Sequence, residues 1–284
     1  MTDTTPGRGC GPVCDLLALD MDGTLLNGRK EPDAEALAAV REATARGKVA
    51  VIASGRAFCQ LAQYRETLDA AGFGYYVCCN GANVYDREGH ALLSGSLDAE
   101  DVRLLLAVCE GVDVMQDCTS HGQVFVQEDQ FPRMAHWDMG MYHDLHARTS
   151  RFVDDMPRWM LEHQREISKL NPHFTTAEVR GRVRDTLAPR IRGELVDAET
   201  TSLEITPAGM SKGTGVMWLA EQLGIPRERV GAVGDSGNDL PILAAVGVPV
   251  AMGNAYPQVK AVCRFAVADN EHGGAAEAVR RFLR

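Results

Sequence analysis

The chain has 284 residues, of which 45% are hydrophobic, and a formal net charge of −10. This length allows one large domain or two moderate ones, and the acidic balance argues against a nucleic-acid surface. No apolar stretch reaches the roughly 18 residues needed to cross a bilayer. We therefore expect an enzyme with neither nucleic acid nor membrane as a partner.

The N-terminus and the cysteines indicate a reducing compartment. Residues 1–12 are polar and rich in glycine and proline, which predicts a flexible tail without a hydrophobic signal core. The eight cysteines show no paired spacing, so we expect buried or free thiols and a cytoplasmic protein. A metal site on Cys10 and Cys14 is disfavoured because no second pair of ligands accompanies them.

Strands and helices alternate in the first part of the chain. Its apolar runs and helical spacings predict three strands, at 13–19, 48–53 and 75–79, and two helices, at 33–46 and 58–71. Pro32 suits the start of the first helix, and Gly47 suits its end. Continuous apolar strands joined by helices indicate a parallel sheet that is covered on both faces.

The last part of the chain repeats this pattern, whereas the middle differs. The repeated pattern predicts helices at 215–223, 239–246 and 274–283 and strands at 230–233, 248–252 and 265–268. The middle alternates like half-exposed strands, as at 123–127, and has helical stretches at 99–109 and 156–166. We therefore predict an α/β fold with a Rossmann-like, doubly wound parallel sheet from 13–82 and 200–284, and an α+β domain inserted at 83–199.

Polar residues follow the ends of the predicted strands. Asp20 and Asp22 follow the first strand, residues 54–56 (SGR) follow the second, and residues 234–239 (GDSGND) follow a later one, while Lys212 precedes a helix. In an open α/β sheet these ends converge on one crevice where ligands bind. Helix N-termini and glycine-rich turns there favour an anion, phosphate above all.

The acidic residues of this crevice predict a metal ion. Asp20, Asp235 and Asp239 are negatively charged, and Asp22 can carry a proton. A phosphate dianion about 4 Å from one aspartate is repelled by roughly 8 kcal/mol at an effective dielectric near 20, and Lys212 alone cannot offset three carboxylates. Because Mg²⁺ prefers carboxylate, carbonyl and phosphate oxygens, we predict Mg²⁺ bound by Asp20, Asp235 and the backbone carbonyl of Asp22, with Asp239 close by.

Together these segments resemble the four motifs of the haloacid dehalogenase superfamily. The matching segments are DMDGT at 20–24, SGR at 54–56, the isolated Lys212 and GDSGND at 234–239. The long insertion, the NGA turn at 80–82 and the LEITP run at 203–207 resemble its Cof-type (subclass IIB) phosphatases. The resemblance covers nearly the whole chain. It implies that the inserted domain is a cap over the crevice, with hinges near 80–84 and 194–203.

The resemblance also implies a two-step hydrolysis of a phosphate ester. Asp20 would attack phosphorus to form an aspartyl-phosphate. Asp22, protonated at first, would donate its proton to the leaving oxygen and then accept one from water. Ser54 and backbone N–H groups near Gly55 would donate to the phosphoryl group, while Lys212 would neutralise Asp20 and a phosphoryl oxygen.

Further polar residues would support this chemistry. Asn238 would hold the loop or the phosphoryl group, and Asp239 would orient metal-bound water or Lys212. Asn80 is expected near the substrate, and Arg56 is expected either to reach phosphate or to pair at the surface. Thr24 would hydrogen-bond Asp22.

The expected substrate is a small phosphorylated metabolite, such as a sugar phosphate or a cofactor phosphate. Two alternatives stay open. A phosphomutase or phosphotransferase would pass the phosphoryl group from Asp20 to another hydroxyl, and analysis of the products separates it from a phosphatase. A non-catalytic metabolite-binding protein is disfavoured by the intact set of Asp20, Asp22, Lys212 and Asp235. The histidines and tryptophans of the inserted domain are expected to be ordinary domain residues.

Overall fold

The computed structural model describes residues 12–284, so Cys10 and nearly all of the expected tail lie outside the described residues. Its strands are β1 (Leu16–Leu19), β2 (Val49–Ala53), β3 (Phe73–Cys78), β4 (Asn83–Asp86), β5 (Ala91–Ser94), β6 (Val114–Ser120), β7 (Gln123–Gln127), β8 (Ser150–Val153), β9 (Ile167–Phe174), β10 (Glu194–Asp197), β11 (Leu203–Thr206), β12 (Val230–Gly234), β13 (Val248–Ala251) and β14 (Phe265–Ala266). Its α-helices are α1 (Ala34–Ala45), α2 (Ala62–Ala71), α3 (Ala99–Val108), α4 (His143–Thr149), α5 (Met156–Glu162), α6 (Ala177–Leu187), α7 (Lys212–Gln222), α8 (Leu240–Ala245), α9 (Pro257–Val262) and α10 (Gly274–Phe282).

The larger of two sheets has eight strands in the order β14-β13-β12-β1-β2-β3-β4-β5. The strands from β14 to β3 are parallel, as their continuous apolar sequences predict, and β4 and β5 extend the sheet in antiparallel fashion. β1 lies inside the sheet between β2 and β12, and all four of its residues are buried. The end of β1 is therefore enclosed by neighbouring strands.

Helices cover this sheet in two packed groups. α1 packs against α2 and α10, and α7 packs against α8. The side chain of Asp33 accepts the N–H groups of Glu35 and Ala36 and so caps α1, which buries a stripe of small apolar residues at helical spacing. The doubly wound α/β core that we predicted is confirmed.

The second sheet has six strands in the order β10-β11-β9-β6-β7-β8. Helices α3, α5 and α6 pack against it or against one another, around a separate apolar cluster that includes Leu105, Phe174 and Ile205. This sheet and its helices form the inserted α+β domain.

The boundaries of the inserted domain differ from the prediction. We expected it at 83–199, but β4 and β5 pair with the core sheet, and β11 pairs with β9 and β10. Strand pairing therefore assigns 95–206 to the inserted domain, which we call the cap, and the rest of 12–284 to the core. The predicted hinge ranges overlap paired strands, and the chain passes between the sheets after Ser94 and after Thr206.

Most predicted elements are present with shifted ends. The first strand begins at Leu16 rather than 13, and the helix predicted at 58–71 is a 3-10 turn, Phe58–Leu61, followed by α2. The helix predicted at 215–223 begins three residues earlier, at Lys212. Within residues 12–284, no helix combines the length and the apolar character that crossing a membrane requires.

Candidate active site

Three aspartates meet at the ends of two adjacent strands. Asp20 follows β1 and Asp235 follows β12, whose last paired residues include Leu19 and Val233. Carboxylate oxygens of Asp20, Asp235 and Asp239 all lie within 4.8 Å of one another. The convergence that we predicted from the strand ends is therefore confirmed for these residues.

Lys212 is buried among these acids at the first position of α7. Its Nζ donates to Asp20 Oδ1 at 2.6 Å, to Asp239 Oδ1 at 2.7 Å and to Asn238 Oδ1 at 3.2 Å, and its side chain is only 1% exposed. Burial opposes the charge, but Asp20 and Asp239 outweigh burial and raise the pKa of Lys212. The lysine is therefore an ammonium that neutralises part of the cluster, as expected.

The positive charge near Asp20 and Asp235 is too small to balance the carboxylates of the cluster. Burial raises the pKa of Asp20, Lys212 opposes this shift, and Asp239 adds to it. Burial and Asp239 also raise the pKa of Asp235 to about 6, although a 3.2 Å hydrogen bond from Thr24 Oγ1 lowers it. A hard divalent cation would relieve this repulsion, and oxygen donors are the ligands Mg²⁺ prefers. The residues present thus fit the predicted ion.

Asp239 has a structural position within the cluster. Its Oδ1 accepts from Lys212, and its Oδ2 accepts the backbone N–H groups of Asp235 and Ser236 at 3.0 and 3.1 Å. Both oxygens are engaged, so Asp239 holds the loop and orients Lys212. Thr24 also differs from the expectation, since its hydroxyl bonds Asp235 rather than Asp22.

A glycine lets the loop that follows β1 lie close to the loop that follows β12. Gly23 has φ +80°, and a Cβ at this position would lie 2.5 Å from Asp235 Oδ2. Any side chain would therefore meet both a strained backbone and the Asp235 carboxylate. This requirement explains why glycine follows Asp22 in the first motif.

Asp22 is held as a carboxylate by two cations in this structure, and its expected role as an acid toward substrate stays a prediction. Arg56 Nε and Nη2 donate to its two oxygens at 2.8 and 2.9 Å, and Lys30 Nζ donates at 2.7 Å. Burial favours the neutral form, but Arg56 and Lys30 outweigh it and hold the pKa of Asp22 at about 2. Arg56 pairs with Asp22 rather than at the surface, since its side chain is only 14% exposed, and its expected contact with phosphate stays a prediction.

The segment that follows β2 forms a tight turn beside Asp20. Ser54 is buried, and its Oγ accepts the backbone N–H of Arg56 at 3.2 Å. A Cβ on Gly55 would lie 2.9 Å from Asn80 Oδ1, so the close approach of Asn80 requires glycine here. Asn80 has φ +51° and donates its side-chain amide to Glu204 at 2.5 Å. Asn80 therefore packs against the turn and connects it to Glu204.

A cavity of about 560 Å³ lies between the core and the cap. Its core wall includes six predicted site residues: Asp20, Asp22, Ser54, Gly55, Arg56 and Asn238. Asn80, Lys212, Asp235 and Asp239 are not among its lining residues. A wider and more open groove beside α1 and α10 includes no predicted site residue.

The cap contributes polar residues that our sequence reasoning missed. Lys169, Asn171 and His173 alternate along β9, and Asp117 and Thr119 alternate along β6, so their side chains share one face of the cap sheet. All five line the cavity. The period-two spacing of polar residues at 169, 171 and 173 was the signal that could have identified this face.

One buried histidine connects this face. His173 lies 2.7 Å from Asp117 through Nε2 and 2.7 Å from Ser202 Oγ through Nδ1. Burial opposes the charge of Asp117, but the hydrogen bond and charge of His173 outweigh it and lower the pKa of Asp117. His146, which we expected to be an ordinary residue, also lines the cavity.

A family model for haloacid dehalogenase-like hydrolases matches residues 17–279 of the chain. The chain belongs to this family. Its four motifs and its inserted α+β cap place it among the Cof-type phosphatases. The resemblance that we inferred from residues 20–24, 54–56, 212 and 234–239 is thus confirmed.

Individual members of the family are similar along nearly their whole length. A 5-amino-6-(5-phospho-D-ribitylamino)uracil phosphatase of Bacillus subtilis is 26% identical over 272 residues, which cover 94% of this chain and 95% of that protein. An HMP-PP phosphatase of Serratia proteamaculans is 29% identical over 251 residues, covering 87% of this chain and 86% of the relative. The crystal structure of a haloacid dehalogenase-like hydrolase from Bacteroides thetaiotaomicron matches with a TM-score of 0.80 at 25% identity, covering 94% of this chain and 98% of that one.

Proposed function

We propose that this phosphoric monoester hydrolase is a Mg²⁺-dependent phosphatase that cleaves a small phosphorylated metabolite through an aspartyl-phosphate on Asp20. The observation that carries the proposal is the position of Asp20, which lines the cavity while Lys212 holds one of its oxygens from behind. A buried carboxylate facing a ligand cavity is suited to nucleophilic attack. Relatives named as phosphatases of a ribitylaminouracil phosphate and of HMP-PP support a small metabolite as substrate.

Lys212 orients the nucleophile. Its ammonium takes Asp20 Oδ1 and, through Asp239 Oδ1, is itself tied to the loop that carries Asp235. Asp20 Oδ2 receives no such hydrogen bond among the described residues. We assign the attack on phosphorus to this oxygen, because Oδ1 is already committed.

Asp20, Asp235 and the backbone carbonyl of Asp22 would hold Mg²⁺. When bound, the ion supplies positive charge for the phosphoryl oxygens and lets an anionic ester approach Asp20. Ser54 and Gly55 line the same wall, and the Ser54 hydroxyl and the Gly55 N–H would donate to the remaining oxygens.

Asp22 is placed to transfer a proton to the leaving oxygen, provided that Arg56 leaves it for another partner. Arg56 and Lys30 hold it in this structure, and all three side chains line the cavity. A phosphoryl dianion entering there offers Arg56 a bidentate partner with more charge than Asp22 carries. Transfer of the guanidinium to phosphate would let Asp22 take up a proton from the solvent, donate that proton to the leaving oxygen, and then accept one from the attacking water.

The cap face supports a polar leaving group. A cavity of about 560 Å³ lies in the range typical of small-molecule sites. Its cap wall combines hydrogen-bonding side chains with a few apolar ones, namely Asp117, Thr119, Asn171 and His173 with Met139 and Leu145. A sugar phosphate or a cofactor phosphate presents hydroxyl or ring nitrogen groups that suit such a wall.

The test is release of free phosphate by wild type and by Asp20→Asn. We expect wild type to release phosphate from p-nitrophenyl phosphate and from members of a metabolite panel only with Mg²⁺, and the variant to lose at least about 10³-fold in kcat. Asp185→Asn, on the exposed face of α6, is the matched control and should behave as wild type. Near-normal turnover by a folded Asp20→Asn protein would refute the nucleophile. An isomerised product without free phosphate would indicate a mutase.

A further inference from the structure

One cationic side chain of the cap reaches into the core. Lys169 belongs to β9, and its side chain is only 7% exposed. Its Nζ forms a buried ion pair with Glu204 of the neighbouring strand β11 and also donates to the backbone carbonyl of Gly55 at 2.8 Å. The ion pair lies within the cap sheet, whereas the bond to Gly55 crosses the cavity wall to the turn at 54–56.

This bond acts on a peptide unit that is part of the turn. The Gly55 carbonyl and the Arg56 N–H belong to one planar peptide, so fixing the carbonyl also fixes the direction of the N–H. That N–H donates to Ser54 Oγ at 3.2 Å. Lys169 is therefore connected to the Ser54 hydroxyl through a single rigid peptide plane.

The same network supports the turn from its other side. Glu204 accepts the side-chain amide of Asn80 at 2.5 Å, and the backbone N–H of Asn80 donates to the carbonyl of Ser54 at 3.2 Å. Lys169 thus contacts the Gly55 carbonyl, and its partner Glu204 contacts Asn80, which itself bonds the turn. Burial favours neutral Glu204, but Lys169 and the hydrogen bonds outweigh it and lower the pKa of Glu204, so Glu204 is a carboxylate.

The residue type is specific to this position. Between residues 95 and 206 the sequence has eleven arginines and one lysine, and that lysine is the cation that reaches Gly55. A compact ammonium on a slender stem fits between a carbonyl and a carboxylate, where a planar guanidinium needs more room. A purely structural ion pair with Glu204 would not need the second contact, to Gly55, which lies outside the cap.

We infer that Lys169 is a positioning residue that transmits closure of the cap to the phosphoryl-binding turn at 54–56. The inference rests on the proposed function, because it assigns the turn to the phosphoryl group. Since Lys169 is on the cap and Gly55 is on the core, the bond exists only while the cap covers the crevice. Hydrolysis is thereby favoured in the closed, water-poor state.

The main test variant is the double substitution Lys169→Met with Glu204→Gln. Lys169→Met alone leaves a buried, unpaired Glu204, which is strongly destabilising, whereas removal of both charges avoids that cost. The matched control is Arg182→Met, which removes an exposed cap cation on α6. Thermal unfolding of all three proteins establishes that the variants compared are folded.

Two readouts separate positioning from other roles. We expect the double variant to lose about 10-fold or more in kcat/KM, by the same factor with p-nitrophenyl phosphate and with the best metabolite. We also expect its affinity for inorganic phosphate, measured by calorimetry with Mg²⁺ present, to fall about 10-fold. The control should match wild type in both measurements.

Three results would overturn the inference. One is an unchanged kcat/KM in the folded double variant. Another is a rise in KM for the metabolite alone, which would make Lys169 a leaving-group contact. The third is equal phosphate affinity in wild type and double variant. Failure of the proposed function is distinguishable from these, because wild type itself would then hydrolyse no ester, while the phosphate-binding comparison would still test Lys169.

Discussion

Three aspartates of one site differ in ionisation because their neighbours differ. Burial and Asp239 raise the pKa of Asp235, burial raises that of Asp20, and the cations around Asp22 lower its pKa despite burial. Residue type and spacing predict all three as site residues. They do not identify the partners, because Arg56 and Lys30 reach Asp22 only through the folding of two separate loops.

A fourth aspartate supports the central strand and gives a pH-dependent prediction. Asp15, just before β1, accepts from Arg229 Nη2 at 2.6 Å and from Lys48 Nζ at 2.9 Å. The hydrogen bond from Arg229 lowers the pKa of Asp15, burial opposes it, and Lys48 assists, so the pKa lies at about 2. The folded pKa is below the unfolded one, so this stabilisation is complete above about pH 4 and is lost as pH falls toward 2.

We therefore expect Asp15→Asn to reduce the free energy of unfolding at pH 7 by up to about 1 kcal/mol, because the carboxylate is partly exposed. The difference from wild type should shrink at pH 3. Urea unfolding of both proteins at the two pH values measures it. A difference that stays constant between pH 7 and pH 3 would mean that the ion pairs are not its cause.

At the scale of elements, the start of α7 positions the lysine of the site. Ser211 Oγ accepts the N–H of Thr214, and Thr214 Oγ1 accepts the N–H of Ser211, so the helix begins at Lys212. A cation at a helix N-terminus is unfavourable toward the helix dipole. Here Asp20 and Asp239 offset that cost, and the hydrogen bonds between Ser211 and Thr214 fix the position of the lysine.

This arrangement predicts different effects on activity when two similar helix N-cap residues are removed. Ser211→Ala at the start of α7 and Thr176→Ala at the start of α6 should each lower the free energy of unfolding by about 1 kcal/mol. Only Ser211→Ala should also lower kcat, because only α7 carries a site residue. Chemical unfolding and phosphate release measure the two effects. Equal activity of the two variants would show that Lys212 does not depend on its helix start.

The sequence predicts the buried parallel strands of the core better than the short antiparallel strands at the domain boundaries. β1, β2 and β12 are buried on both faces, so their continuous apolar runs are evident and their ends indicate the site. β4, β5 and β11 were assigned to the wrong domain, because a short antiparallel strand takes its place from its pairing partner. Lys169 and His173 went unrecognised for the same reason, since their common face exists only once β9 has paired.

At the scale of the whole molecule, the acidic cluster links metal binding to stability. Carboxylates of Asp20, Asp235 and Asp239 repel one another across less than 4.8 Å in the absence of an ion. A ligand that binds only the folded state stabilises it, by about 2.7 kcal/mol at 100 times its Kd. Mg²⁺ should therefore stabilise the entire fold.

We expect the Tm to rise with Mg²⁺ concentration and phosphate release to stop when the ion is chelated. Asp235→Asn removes one ligand and part of the repulsion. Its metal-free Tm should equal or exceed that of wild type, and its Tm should no longer respond to Mg²⁺. Differential scanning fluorimetry at constant ionic strength, with KCl as the control salt, measures both. An equal response in the variant would place the ion elsewhere.

The position of β1 between β2 and β12 has a consequence for synthesis on the ribosome. The nascent chain makes β1 before the cap, yet one of the two strands that flank it, β12, is translated only after the cap. Until then the edge of β1 has no hydrogen-bonding partner, and Asp20 lacks both Lys212 and Asp235. Pairings between such distant segments form slowly. The surroundings of Asp20 are therefore completed only after the cap segment has been translated.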